Sequence, residues 1–184
     1  MARPARTPPA KWIDEGLQAL AVGGPEAVRV EALARALGVT KGGFYNHFDD
    51  RLALLREMID TWEQVGVDQV IERVESEGGD ARAKLGRLFA LISSTGKLVK
   101  IELAIRDWAQ RDETVARRIK RVDNRRMDYM RSLFAALCSK EEEVEIRCLM
   151  AYALFTGTPL IAADHRGHRR ADLVKRIQER LLEA

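Results

Sequence analysis

At 184 residues, 46% hydrophobic and 32% charged, the chain has the composition of a globular protein and excludes a disordered or low-complexity one. Its longest run without a charge, Cys148 to Ala163, holds sixteen residues including Gly157 and Pro159, short of the ~20 apolar residues that span a bilayer. Net charge is +3, unevenly placed: residues 1–50 carry six Lys/Arg against six Asp/Glu, and residues 81–131 carry fourteen against six, a local +8.

The opening "MARPARTPPA" combines two arginines and three prolines with no apolar stretch. That is no signal peptide, so the chain is expected to stay in the cytoplasm. Strand signals are nearly absent, whereas helical spacing runs throughout, which predicts an all-α fold. The first helix is predicted from Pro9, with Ile13, Leu17, Leu20 and Ala21 along one face, to the stop at Gly23-Gly24-Pro25. A short second helix carries Leu33, Ala34 and Leu37 and ends at Gly38. The third spans Lys41 to Phe48, with Phe44 and Phe48 inward. Asp49-Asp50 then caps a long fourth helix that carries Leu52, Leu55, Ile59 and Trp62 and reaches about Glu77.

Beyond Gly78-Gly79 the helices lengthen. They are predicted at about Ala81 to Thr95, Leu98 to Ala109 and Asp112 to Leu137. Ser139 with Glu142 three residues on is a capping-box signal for the next, about Lys140 to Thr156. Along its "CLMAYALF" no face is polar, which predicts burial on more than one side. A last helix, about Ala171 to Leu182, places Leu173, Ile177 and Leu181 on one stripe. Two such helices predict a helical dimer interface through Leu149, Tyr152, Leu173, Ile177 and Leu181, closed as a four-helix bundle. Cys138 and Cys148 lack CxxC or His spacing and are read as buried core thiols. The loop "DHRGHRR" holds His165 and His168 without further ligands, so no metal or cofactor is expected.

Residues 30–48, "VEALARALGVTKGGFYNHF", have the features of a helix-turn-helix. Gly38 suits the left-handed conformation that closes the first helix, Val39 plugs the angle, and Thr40 is a good N-cap for the second. Lys41, Gly42, Gly43 and Asn46 then lie on the outward, N-terminal side of that second helix, where recognition helices meet base edges. Tyr45, His47 and Thr40 are placed to donate to phosphates at the rim, and Arg51 is the further phosphate contact. Lys41 has the reach for a phosphate or for guanine O6/N7. The plain alternative is a tight helical corner with Tyr45 half-buried and His47 exposed.

The stretch "ALARALGVTKGGFYNHFDDRLALL" resembles the DNA-binding domain of TetR/AcrR (tetracycline-repressor-like) transcriptional regulators. The likeness rests on the Leu-Gly-Val turn, Phe44 before Tyr45, then Phe48 and the basic Arg51 opening the fourth helix, and it covers about residues 10–62. It implies a three-helix DNA-binding domain over 1–52 and a larger helical effector-binding and dimerisation domain over 53–184. It implies double-stranded DNA with a palindromic operator as partner, homodimerisation, and a small, largely hydrophobic effector. Two departures stand out. Arg29 sits where such proteins commonly place a capping Ser or Thr, and has the length to reach a phosphate instead; Gly43 sits where many carry a small hydroxyl residue.

Trp62, Phe89, Leu103, Arg106, Trp108, Tyr129 and Phe155 lie on helices that surround a cavity in that family, with Arg106, Tyr129 or Thr156 as polar anchors. Each is equally an ordinary core or surface residue. The basic stretch "RRIKRVDNRR" is the rival nucleic-acid site, read here as a solvated face with Ile119 and Val122 inward. Glu102 and Arg106 form an i,i+4 surface pair, and no catalytic triad, phosphate loop or dinucleotide fingerprint occurs, so no enzyme is expected. The resulting expectation is a ligand-released repressor. An activator of the same fold, or a helical protein-binding module that has lost DNA binding, stands as the alternative, since the first fifty residues carry no net positive charge.

Overall fold

The computed structural model describes residues 7–93 and 96–183. Of the ten opening residues, Met1–Arg6 lie outside them, as does the helix end expected at Thr95. Among the described residues all regular structure is helical: α1 (Pro9–Gly23), α2 (Val30–Ala36), α3 (Lys41–Phe44), α4 (Arg51–Glu63), α5 (Gln69–Ser76), α6 (Ala81–Ser93), α7 (Gly96–Ala109), α8 (Glu113–Phe134), α9 (Glu141–Gly157) and α10 (Arg170–Leu182). No helix among them is long and apolar enough to cross a membrane.

Aspartates start several of these helices by accepting the backbone N–H groups that have no partner inside the first turn. Asp50 Oδ1 accepts from Ala53 N at 2.7 Å ahead of α4, Asp80 Oδ1 from Ala83 N at 2.8 Å ahead of α6, and Asp112 Oδ1 from Thr114 N at 2.9 Å ahead of α8. Ser139 does not cap α9: Lys140 occupies that position, and the first turn instead carries Glu141, Glu142 and Glu143, whose charge suits the positive end of the helix dipole. Two more expectations fail on helix length. The third helix stops at Phe44, not Phe48, and the fourth is interrupted by a π-helical turn over Gln64–Asp68. Such a turn inserts a residue without proline, and here Gly66 is the single local hint of it.

The chain divides into two compact units. The first holds the described residues up to Gly66 together with Lys97–Ile119; the second holds Val67–Gly96 and Lys120–Ala184. In the first, α1 packs on α4 so closely that a Cβ on Gly16 would come within 2.6 Å of Met58 Sδ. Trp12, Leu20, Leu33, Phe44, Leu54 and Met58 form the centre of that core. The second unit is built on Val74, Leu85, Phe89, Met130, Phe134 and Cys148, where α5 meets α6 and α10 meets both α6 and α9. Burial pushes the Cys148 thiol up to about 11, whereas Cys138 is half-buried rather than buried.

The surfaces of α9 and α10 differ from expectation. Leu181 is only 3% exposed, packed inside its own chain, and Tyr152 is half-buried and donates to Asp123, so neither is an open apolar surface. Leu173 is half-buried, while Leu149, at 65%, and Ile177 are exposed. Ile146 and Met150 join Leu149 at i, i+3 and i+4 spacing on one face of α9. The Cys148–Phe155 part of that helix, apolar all round, is therefore buried along Cys148 and Ala151 while Leu149 and Met150 stay exposed.

Candidate nucleic-acid interface

The turn between α2 and α3 is set by Gly38. Its φ of 68° is left-handed, and from there Gly38 N donates to Arg35 O at 3.1 Å and Val39 N to Ala34 O at 2.9 Å. These two bonds satisfy the last carbonyls of α2 and turn the chain at once into α3. Thr40 has the extended backbone of an N-cap, but its side chain makes no capping bond. The helix closes tightly at both ends instead, by Gly43 N to Thr40 O and His47 N to Phe44 O, each 2.9 Å and each spanning three residues.

What orients α3 is an aromatic cluster beneath it. Phe44 is fully buried, stacked on Phe48 at 5.1 Å between ring centroids and edge-on to Trp12 at 5.4 Å. With that side fixed inward, Thr40, Lys41, Gly42, Tyr45 and Asn46 are exposed on the other, and His47 is half-buried. Tyr45 therefore stands in solvent, not half-buried as a plain helical corner would have it, and His47 is less exposed than that reading requires. Gly43 is also half-buried: a Cβ there would lie 3.8 Å from Trp12 Cζ2, so it looks toward the core edge, whereas Gly42 looks outward past Thr40. Neither glycine has a positive φ, and a Cβ at either makes only ordinary contact.

Several cations are engaged within the protein. Arg51 donates from Nε to Val28 O at 2.6 Å and from Nη2 to Pro25 O, tying α4 to the turn ahead of α2. These two bonds give Arg51 a positioning place at that turn. Arg29 is the N-cap residue of α2 without a side-chain cap, and its Nε donates to Glu26 O at 3.2 Å. Asn46 Nδ2 donates back to Gly42 O at 3.3 Å. Lys41 pairs with Glu31 across the turn, and that hydrogen bond holds the Glu31 carboxyl below its usual range and raises the Lys41 ammonium. Sequence reasoning passed over Glu31 and Trp12. Glu31 stands ten residues before Lys41, and Trp12 stands 32 before Phe44, separations that leave no periodic signal.

The rival basic stretch on α8 has Val122 fully buried and Ile119 half-buried, as expected. Arg118 bonds Asp60 and Glu63 on α4, and Arg125 bonds Asp68, so part of its charge is neutralised internally. The residues proposed for an effector fall in different units. Trp62, Leu103, Arg106 and Trp108 belong to the first, and Phe89, Tyr129 and Phe155 to the second. Within the first, Trp62 Nε1 donates to Glu102 Oε2 at 2.9 Å and Arg106 Nη2 reaches Glu102 Oε1 at 2.7 Å; the Glu102–Arg106 pair is thus half-buried rather than a surface pair. Within the second, Phe89 lies 5.4 Å from Phe155, and Tyr129 donates to Glu75 at 2.7 Å, with burial, then that bond, raising its pKa.

Residues 13–58 match the family model of the bacterial regulatory proteins of the tetR family. No curated protein matches the chain. Among solved structures, a TetR-like transcriptional regulator from Rhodococcus sp. RHA1 is 14% identical, with 99% of this chain and 96% of that one covered at a TM-score of 0.70. A second transcriptional regulator from Rhodococcus sp. is 16% identical over 96% and 94%, at 0.72. The transcriptional regulator FadR from Bacillus subtilis, in complex with stearoyl-CoA, is 17% identical over 94% and 97%, at 0.67. At these identities the likeness shows a shared fold.

Proposed function

From the match of residues 13–58 to the tetR family model, we propose that this chain is a DNA-binding transcriptional regulator that acts as a homodimeric repressor, binds a palindromic operator and is released by a small, largely hydrophobic effector. The observation that carries the DNA half is α3 itself: four residues long, anchored by a fully buried Phe44, and presenting Lys41, Gly42, Tyr45 and Asn46 outward together. Its N-terminal residues meet base edges in the major groove; Thr40, His47 and Arg29 lie at the rim for phosphates, and Arg51 holds the turn that aims the helix.

The test sets two sites against each other. Lys41→Ala should weaken binding to duplexes selected from random DNA and relax the preference at the base pair that it reads. Reversing Arg117 and Lys120, both exposed on α8, should leave binding in place. Arg118 is not used, because an acid there would stand beside Asp60 and Glu63. The opposite pattern would move the DNA site to α8.

Dimerisation is supported by the exposed Ile146, Leu149 and Met150 on α9 with Ile177 on α10, an uncovered apolar surface of the kind that marks protein contacts. Leu149→Glu should convert the protein to a monomer by light-scattering mass at micromolar concentration. Wild type that is itself monomeric there sinks the dimer.

For the effector, support comes from the fold shared with a regulator that holds stearoyl-CoA and from the aromatic and aliphatic side chains gathered around Phe89 and Phe155. A ligand that favours one state of the larger domain would lower DNA affinity by that difference alone. The reading assigns binding and no catalysis.

A further inference from the structure

Glu31 sits in the first turn of α2, where a carboxylate is favoured by the helix dipole, and Lys41 opens α3, where a cation is not. The two form an ion pair across the helix-turn-helix, with side chains 62% and 50% exposed respectively. An ion pair this exposed contributes little to folding, so its consequence is for whatever approaches that surface. The N-terminal stretch brings no net positive charge to that approach. Residues 1–50 balance six Lys/Arg with six Asp/Glu, and Arg51 is bound to the Pro25 and Val28 carbonyls.

We propose that Glu31 is a specificity-determining residue: it holds Lys41 back from arbitrary phosphates and yields it only to a matching base edge. The proposal rests on the reading that α3 enters the major groove. An unrestrained lysine ammonium gains the same sequence-independent attraction from any phosphate. With Glu31 in place, moving Lys41 onto a phosphate breaks the pair and leaves a carboxylate facing like charge. On a G·C pair the exchange is different. Guanine O6 and N7 accept the ammonium, and the N4 amine of the paired cytosine offers Glu31 a donor, so both members of the ion pair regain a partner. A matched site is thus favoured, and unmatched DNA is disfavoured by the same carboxylate.

Equilibrium titrations of the full chain with two duplexes of equal length, one selected by the wild-type protein from random DNA and one scrambled, test this over a series of salt concentrations. Glu31→Gln should bind the scrambled duplex several-fold more tightly, with a slope against log salt steeper by about 0.9, and should discriminate less between the two. Adding Lys41→Ala should abolish that gain. The proposal is overturned if Glu31→Gln binds scrambled DNA as wild type does, or if its gain persists without Lys41, because the carboxylate would then act by its own charge alone. Failure of the underlying reading looks different: Lys41→Ala alone would leave binding to the selected duplex unchanged.

Discussion

Gly42→Leu should weaken binding to a selected operator duplex by about tenfold or more, roughly 1.4 kcal/mol, while the melting temperature is unchanged or slightly higher. Inside the protein nothing asks for glycine at this position. Its φ is not left-handed, it is exposed, and a Cβ would meet only Thr40 Oγ1, at 3.8 Å. A glycine within a helix costs up to about 1 kcal/mol relative to alanine, and two in a four-residue helix is a local conflict that the fold does not explain. Conflicts of that kind are expected where function sets the residue. Close approach of the α3 backbone to a base-pair edge is such a reason, and a leucine would hold it off. Gly43→Ala is the milder companion, since its Cβ would rest against Trp12 at ordinary contact distance. Electrophoretic shift and thermal melting measure the two effects separately. If Gly42→Leu binds like wild type, α3 does not lie close to DNA at that residue.

The second large effect is on stability. Phe44→Ala should destabilise the first compact unit by ~3–5 kcal/mol, as for other fully buried phenylalanines truncated to alanine. The ring is 0% exposed and contacts Trp12, Phe48 and Tyr45, so truncation leaves a hole that three neighbouring aromatics must fill. DNA binding should fall with it, because α3 would lose the contact that fixes its outward face. Trp12→Phe is the contrasting case. Its indole Nε1 is buried with no hydrogen-bond acceptor among the described residues, so the change removes an unsatisfied donor while keeping a ring against Phe44. It should cost markedly less than Phe44→Ala in denaturant titrations that follow each unit, since two compact units need not unfold as one. Equal losses would mean that the Phe44 ring is not the main support of the first unit's core.

Much of this was legible in local sequence because the forces concerned act over a few residues. Helical spacing and the Gly23-Gly24-Pro25 stop place α1, the left-handed Gly38 closes α2, and Asp50 caps α4 through a bond to a residue three positions away. The motif from Val30 to Phe48 could be read for the same reason: its buried and exposed positions alternate with the period of the helix that carries them.

What only the tertiary structure decided lies in contacts between residues far apart in the chain. Arg51 looks like a phosphate contact from its position, yet its guanidinium finds carbonyls 23 and 26 residues earlier. Leu181 shares a stripe with Ile177, but packing against neighbouring helices buries one and leaves the other exposed. Lys41 stands out in the sequence, and its restraint by Glu31 does not, because a turn between two helices brings together side chains that no helical period relates. Periodicity determines which face of an element is apolar. Which element covers that face, and which partner reaches a charge first, is settled by the packing of the whole fold.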